Sequence, residues 1–452
     1  MNTATDSRQW FMQLLQQGDT AATSVEENHA WLNRARENAR TALQSLPLPG
    51  KKQEAWRYTS IEGLLDHNFE PVSADFDALQ TEDIDNWLLP DTEAYRIVFA
   101  NGRFVPALRN FDVLPEGVTI GSLQHALSHD PLSLAIWFGQ TTHHTKHIFT
   151  ALNTALINDG LFVHIRRDTV LERPIEVIHL NLGLDTPQLI QPRNLIVLDR
   201  GANAQLIERY ESSGNSVYFH NGVSEILLED NAALTHYRLQ QESPRAYHLH
   251  QGFLSQAAHS QYRRTSVAMG GKWARDDLQV RFQAEGADCD TAGLYLVGDK
   301  QLIDHHLDVE HNRPYNASRH NYKGVLHGTG RAVFDGRILV EKDAQKTDAH
   351  LSNKNLLLSR NAEVDTKPSL EIYADDVKCS HGTTVGQLEP EQLFYMRSRG
   401  IDTTTAMKML CLGFAGEILE TIKLQPVREH IERQLHSLLN NVADKLDVLQ
   451  DD

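Results

Sequence analysis

The chain has 452 residues, 40% of them hydrophobic, enough to bury a large core in two or three domains or one extended all-β domain. Its 60 acidic residues against 43 basic ones leave a formal charge of −17, which excludes the basic stripe that nucleic acid demands. Three cysteines, Cys289, Cys379 and Cys411, with no CxxC pair, exclude a disulfide framework and point to a reducing cytoplasm.

No basic-then-apolar leader opens the sequence, and no run approaches the roughly 18 apolar residues of a membrane span, so the expectation is a soluble, non-secreted protein. Residues 1–92 read mainly as helix. Trp10, Phe11, Leu14 and Leu15 share one stripe, and Trp31, Leu32, Ala35, Ala39, Ala42 and Leu43 another. Ser24 with Glu27 three residues on has the pattern of a capping box. Trp56 and Tyr58 follow among basic residues. Near residue 93 the texture changes, and "YRIVFANGRFVPAL" reads as a hairpin turning at Asn101–Gly102.

After a more helical stretch at about 121–157, strand-like runs dominate for over 200 residues, among them "IEVIHLNL", "DLQVRFQ", "RILVEK" and "LEIYAD". Turns carrying a small residue recur at Ala202, Ala232, Ala258, Ala287, Ala332 and Ala362. A period of roughly 20–50 residues marks a stacked, solenoid-like architecture, and with so much strand a β-helix over 93–387 is the natural member. A large β-sandwich with accidental spacing is the competing arrangement. Residues 388–452 turn helical again. Pro390 opens a helix and Gly400 stops it; Ala406, Met409, Leu410, Gly413 and Phe414 make one apolar face, and Val427, Ile431, Leu435, Leu438, Leu439 and Val442 another. These helices are expected to cap the solenoid end or to dock a partner.

The chemistry-bearing stretch is "DDVKCSHGTTVG", 375–386. On an extended strand Cys379 and His381 point to one face, side by side, and a protonated imidazole or the neighbouring Lys378 would favour the thiolate that binds metal and accepts sulfur. The bland alternative is a buried thiol beside a hydrogen-bonded histidine, since two ligands do not close a metal site. Histidines cluster at "THHTKH" (142–147), "HLHQ" (248–251) and "DHHLDVEHN" (304–312). In the last, His306, Asp308 and Glu310 fall on one strand face and His305 and His311 on the other, which splits a would-be metal site; ordinary strand histidines are the simpler expectation. A P-loop, GxGxxG, GxSxG and HExxH are all missing, and "AMGGKW" lacks the leading Gly and the Ser/Thr, so no ATP site is expected in this chain.

The segment "NAEVDTKPSLEIYADDVKCSHGTTVGQLEPEQLFYMRSRGI" (361–401) closely resembles the hallmark of the SufB/SufD family, and of its SufD branch in particular. "EAWRYTSIEGLL" (54–65) resembles that branch's tryptophan–tyrosine motif, and "GTGRAVFDGRILVEKDAQKTDAHLSNKNLLLS" (328–359) the family core. The resemblance covers most of the chain in order. It implies a right-handed parallel β-helix between helical N- and C-terminal regions, in a scaffold subunit of the SUF machinery that builds iron–sulfur clusters. A SufB-type subunit would pair through the β-helices, and a SufC-type ABC ATPase would dock on the C-terminal helices within about 388–440, on Leu393, Phe394, Tyr395, Arg397, Arg399, Gly400, Met409 and Phe414. The KCSHG motif falls on Cys379 and His381, implying a transient cluster shared with the partner. At "HNRPYNASRHNYKG" (311–324) the chain departs from relatives that carry a cysteine shortly before the serine, which removes any thiol chemistry there. Cys289 and Cys411 are expected to be structural. Flavin binding, cluster type and homodimerisation of the free subunit stay open. The rival functions are a β-helix carbohydrate enzyme, which would need paired acids in a groove, and a stand-alone metalloprotein using the histidine clusters.

Overall fold

The computed structural model describes residues 3–21, 30–142 and 146–448. Alternate strands of the chain are neighbours, because each coil lays one strand in an 11-stranded sheet and the next in a 10-stranded sheet facing it. Arg193–Leu198, Tyr218–Leu228, Tyr247–Gln256, Trp273–Phe282, Leu302–His311, Arg331–Val340 and Glu363–Ile372 stack in the first. Asn203–Ser213, Ala233–Gln241, Gln261–Ala268, Asp288–Val297, Ala317–Leu326, Asp348–Leu357 and Lys378–Gln387 stack in the second. All these pairings are parallel, so the core is a parallel β-solenoid. The coil length runs from 26 residues (Tyr247 to Trp273) to 32 (Arg331 to Glu363).

One corner of each coil before the last is closed by a residue in the left-handed backbone region: Asp168, Gly201, Asn231, His259, Gly286, Tyr315 and Lys346, with φ from 56 to 75°. The N–H groups of six of them, all but Gly286, reach the neighbouring coil, as in Asn231 to Ala258 (2.8 Å) and Tyr315 to Gln345 (2.9 Å), so the ladder of hydrogen bonds continues round the bend. The alanine rhythm is corrected in detail by this corner. Ala202, Ala232 and Ala287 follow it and are buried, but Ala258 sits on the turn while Ser260 fills the buried position. Ala332 and Ala362 lie by the opposite corner, which accounts for the long interval between Ala287 and Ala332.

The expected hairpin is present: Tyr95–Ala100 turns through Asn101 (φ 47°) and Gly102 (φ 80°) into Arg103–Phe104. The N-terminal helices Thr3–Ala21 and Ala30–Ser45 pack on the outer face of the 11-stranded sheet, where Trp10, Phe11, Leu14 and Leu43 join Phe219, Tyr247 and Trp273. The capping-box residues Ser24 and Glu27, and His143 and His144, lie outside the described residues.

The C-terminal helices Pro390–Ser398, Thr403–Leu419 and Gln425–Val448 do not cap the solenoid end. The last two run along the outer face of the 10-stranded sheet, where Cys411, Ala415, Ile418, Val427, Ile431 and Leu435 meet Tyr237, Leu239, Val267, Leu294 and Leu296. The reason is visible in those strands, which are apolar on both faces and need an outer cover. The buried stripe of Thr403–Leu419 is accordingly Cys411, Ala415, Ile418 and Leu419 with Ala406; Met409 and Gly413 are exposed, and Leu410 and Phe414 only half-buried. Val442 lies among the side chains not described. No described helix is long and apolar enough to cross a membrane. With both helical layers on the flanks, the final coil, Glu363–Ile372 and Lys378–Gln387, is left bare, with no fully buried residue in either strand.

Candidate functional site

Side chains alternate along each strand, so every inward position heads a column through the stacked coils. One column runs Leu234, Tyr262, Cys289, Ser318, Ala349 and ends on Cys379; the next runs His236, Arg264, Thr291, His320, Leu351 and ends on His381. Lower members are buried, and Ala349 and Leu351 are 0% and 2% exposed. Cys379 is half-buried against the same core, and His381, with no coil above it, is open to solvent. The motif therefore forms the inward face of the open end of the solenoid.

Burial pushes the Cys379 thiol up from its ordinary range, and the Asp348 carboxylate adds to that. This corrects the expectation that Lys378 would favour the thiolate. A metal ligand at this position would have to lose that proton, since the thiolate is the metal-binding form. Burial raises the other two thiols as well, Cys411 to about 12 and Cys289 further, and both are enclosed, as expected of structural cysteines.

The interior contains much more polar chemistry than the sequence reading anticipated. Glu208 accepts from His236 (3.2 Å), whose other nitrogen meets Tyr262 Oη (3.0 Å). His250 donates to Asp276 (2.9 Å), which also holds Arg264 (2.7 Å). Desolvation depresses the imidazoles of His220 and His236, and takes His250 to about 4 and His311 and His320 to about 3. Ligand atoms of His220, Glu242 and His248 lie within 4.8 Å of one another. Arg238 Nη2, however, sits 2.5 Å from His248 Nε2, while Glu242 Oε2 is 2.7 Å from its Nδ1, so both nitrogens of that ring face charged partners and the group reads as an ion-pair network. In "DHHLDVEHN" the faces divide as expected: His305 and His311 are buried inward, and His306, Asp308 and Glu310 face outward.

A cavity of about 530 Å³ lies between residues 47–56 and the outer face of the 11-stranded sheet. Three of its cations, Arg275, Arg337 and Lys367, are matched inside it. The Arg275 guanidinium lies 3.9 Å from the Trp56 ring centroid and bonds Asp304 (3.1 Å), Lys367 pairs with Glu54, and Arg337 with Asp308 (2.9 Å) and Glu371 (2.8 Å). Trp56 thus ties the N-terminal segment to the solenoid wall.

Among the residues expected to receive an ATPase, Phe394 (74%), Tyr395 (59%) and Met409 (50%) are large, apolar and exposed, and Arg397, Arg399 and Gly400 are exposed beside them. Arg399 covers the Tyr395 ring at 5.3 Å. Leu393 is half-buried, and Phe414 turns toward the sheet, its ring 4.8 Å from Lys323 Nζ. Sequence reasoning missed Asp348 and His350, which join Ser380 on the outer face; the 30-residue register between Asp348 and Lys378 is the signal that could have found them.

Two family models match. Residues 5–177 match the SufBD protein N-terminal region, and residues 181–414 match the SUF system FeS cluster assembly, SufBD core domain. The chain is 36% identical over 423 residues to an iron–sulfur cluster assembly SufBD family protein of Synechocystis sp., with 92% of each chain covered. It is 31% identical over 386 residues to the iron–sulfur cluster assembly protein SufD of Escherichia coli, covering 85% of this chain and 88% of that one. SufD of Bacillus subtilis is 24% identical over 425 residues, covering 90% and 94%.

Proposed function

The chain belongs to the SufBD family of SUF-system iron–sulfur cluster assembly proteins, a homologue of SufD, and on that premise we propose that it is a non-catalytic scaffold subunit working in the cytoplasm. Its bare final coil receives the β-helix of a SufB-type partner. The observation that carries this reading is the end of the inward columns: Cys379 and His381 are presented together on an uncovered coil whose strand edge has unpaired backbone groups. An exposed edge of this kind is normally managed by a cover, and a second solenoid supplies both the cover and further ligands.

The nascent cluster is cargo held between the two subunits. Cys379 contributes a thiolate once its proton is drawn off, and His381 a neutral imidazole nitrogen. The exposed group Phe394, Tyr395 and Met409 with Arg397 and Arg399 takes a SufC-type ATPase, whose closure on ATP levers the C-terminal helices against the sheet they cover. Iron and sulfide content after anaerobic co-expression with SufB- and SufC-type partners tests the reading. A His381→Ala complex that assembles but carries no colour supports it. Full cluster load in that variant refutes the assignment of His381, and failure of the wild-type chain to form a complex refutes the scaffold role.

A further inference from the structure

Three side chains form a line on the outer face of the last two coils. Asp348 and His350 are two apart on strand Asp348–Leu357 and so share that face, and His350 is the register partner of Ser380. His350 Nε2 lies 2.8 Å from Asp348 Oδ1, and its Nδ1 lies 2.6 Å from Ser380 Oγ. With the ring neutral, Nε2–H donates to the carboxylate and the serine hydroxyl donates to Nδ1. Protonation turns the second bond round, Nδ1–H donating to Oγ, and the line stays joined. One coil below, Arg319 holds Asp288 at 3.1 Å and approaches Asp348 at 3.9 Å, fixing the far end.

The line ends on the middle residue of Cys379–Ser380–His381. Strand Lys378–Gln387 has a neighbour on one side only, so its outward side chains have little but strand Asp348–Leu357 to hold them. Because side chains alternate, a Ser380 pinned outward is a Cys379 and a His381 turned inward.

We propose that Asp348 and His350 are positioning residues: by holding Ser380 they keep Cys379 and His381 facing the open end of the solenoid. Their value to cluster assembly rests on the reading in the preceding section; their effect on Cys379 does not. The test therefore uses the full isolated chain, alkylated with iodoacetamide and followed by mass spectrometry of the Cys379 peptide. Cys289 and Cys411 are enclosed and serve as slow internal references. His350→Ala and Ser380→Ala should each speed alkylation of Cys379 by about three- to tenfold, the loss of one ordinary hydrogen bond, and the double variant no further than either alone. His350→Gln, whose amide both donates and accepts, should stay near the wild-type rate. Thermal melts superimposable on wild type show that the change is local. Equal rates in all variants, or His350→Gln behaving like His350→Ala, would overturn the proposal. Cluster load in the co-expressed complex is then read separately: faster alkylation with full load keeps the positioning and removes the role given to Cys379 as a ligand.

Discussion

His381 stands directly above Leu351 in the strand register, one exposed to solvent and the other 2% exposed, so a single rung separates core from open surface. The contrast gives a first expectation. Leu351→Ala should cost about 2–4 kcal/mol, the usual price of a buried leucine truncated in a packed column. His381→Ala should fall within about 0.5 kcal/mol of wild type, as surface changes do. Urea unfolding of both variants checks this. A His381→Ala chain as unstable as Leu351→Ala would mean that the terminal coil is packed in the free protein and is no bare docking end.

The C-terminal helix Gln425–Val448 is held by its apolar stripe, not by capping the solenoid. Ile431 and Leu435 are both 0% exposed against the sheet. Ile431→Ala or Leu435→Ala should destabilise by about 2–4 kcal/mol and expose the helix to protease before the strands. The pair Phe394→Ala and Tyr395→Ala, already in solvent, should leave unfolding unchanged while abolishing capture of a SufC-type partner. Unaltered capture would move the ATPase site elsewhere.

Acid should weaken the fold through its interior histidines. His250 is held down to about 4, and His311 and His320 to about 3, chiefly by burial. Each binds its proton far more readily when the chain opens, at the ordinary value of about 6.5. Stability is therefore complete above that pH and falls on acidification, by about 1.4 kcal/mol per group per pH unit until the folded value is reached. His320→Asn, which keeps a partner for Thr291 Oγ1, should bring the loss between pH 6.5 and 5 down by about one proton's worth of slope. Urea midpoints across that range measure it, and an unchanged slope would show that His320 is not a buried neutral group.

Stacked strands, the hairpin at Asn101–Gly102 and the helical flanks were legible because each rests on a local pattern: a turn residue, a period, a proline start. The place of the C-terminal helices was not, because helical spacing alone does not say which surface an apolar stripe will meet. The clue lay in another part of the chain, in strands such as "LYLV" at 294–297 that carry apolar residues on both faces. The same long-range dependence hid the site's surroundings. Cys379 and Lys378 are adjacent in sequence but lie on opposite faces, and the groups that act on Cys379, Ala349 below it and Asp348 beside it, come from one coil earlier. The polar interior was hidden for a related reason: the partners of His236, Arg238 and Asp276 come from neighbouring coils, as Glu208 and Tyr262 do for His236, or from the opposing sheet, as His248 does for Arg238 and Arg264 for Asp276.

The Arg193–Glu225 pair carries the same dependence to the outer wall of the solenoid. Both side chains are buried, at 1% and 0% exposure, and the carboxylate also accepts from the Gly139 N–H (3.0 Å) and the Thr141 hydroxyl (3.0 Å). The guanidinium is further hemmed in by Thr142 Oγ1 (3.1 Å) and by the Phe138 ring, 4.7 Å to its centroid. Glu225→Gln keeps the shape but leaves the arginine charge without its counter-ion in a dry site, so it should cost about 3–5 kcal/mol. Replacing both partners, Arg193→Met with Glu225→Leu, removes the orphan charge and should recover much of that loss. A double-mutant cycle in urea measures the coupling, and amide exchange at Gly139 should quicken in Glu225→Gln. If the single substitution costs under 1 kcal/mol, water reaches the pair and the seam between the 139–142 turn and the solenoid wall is not closed.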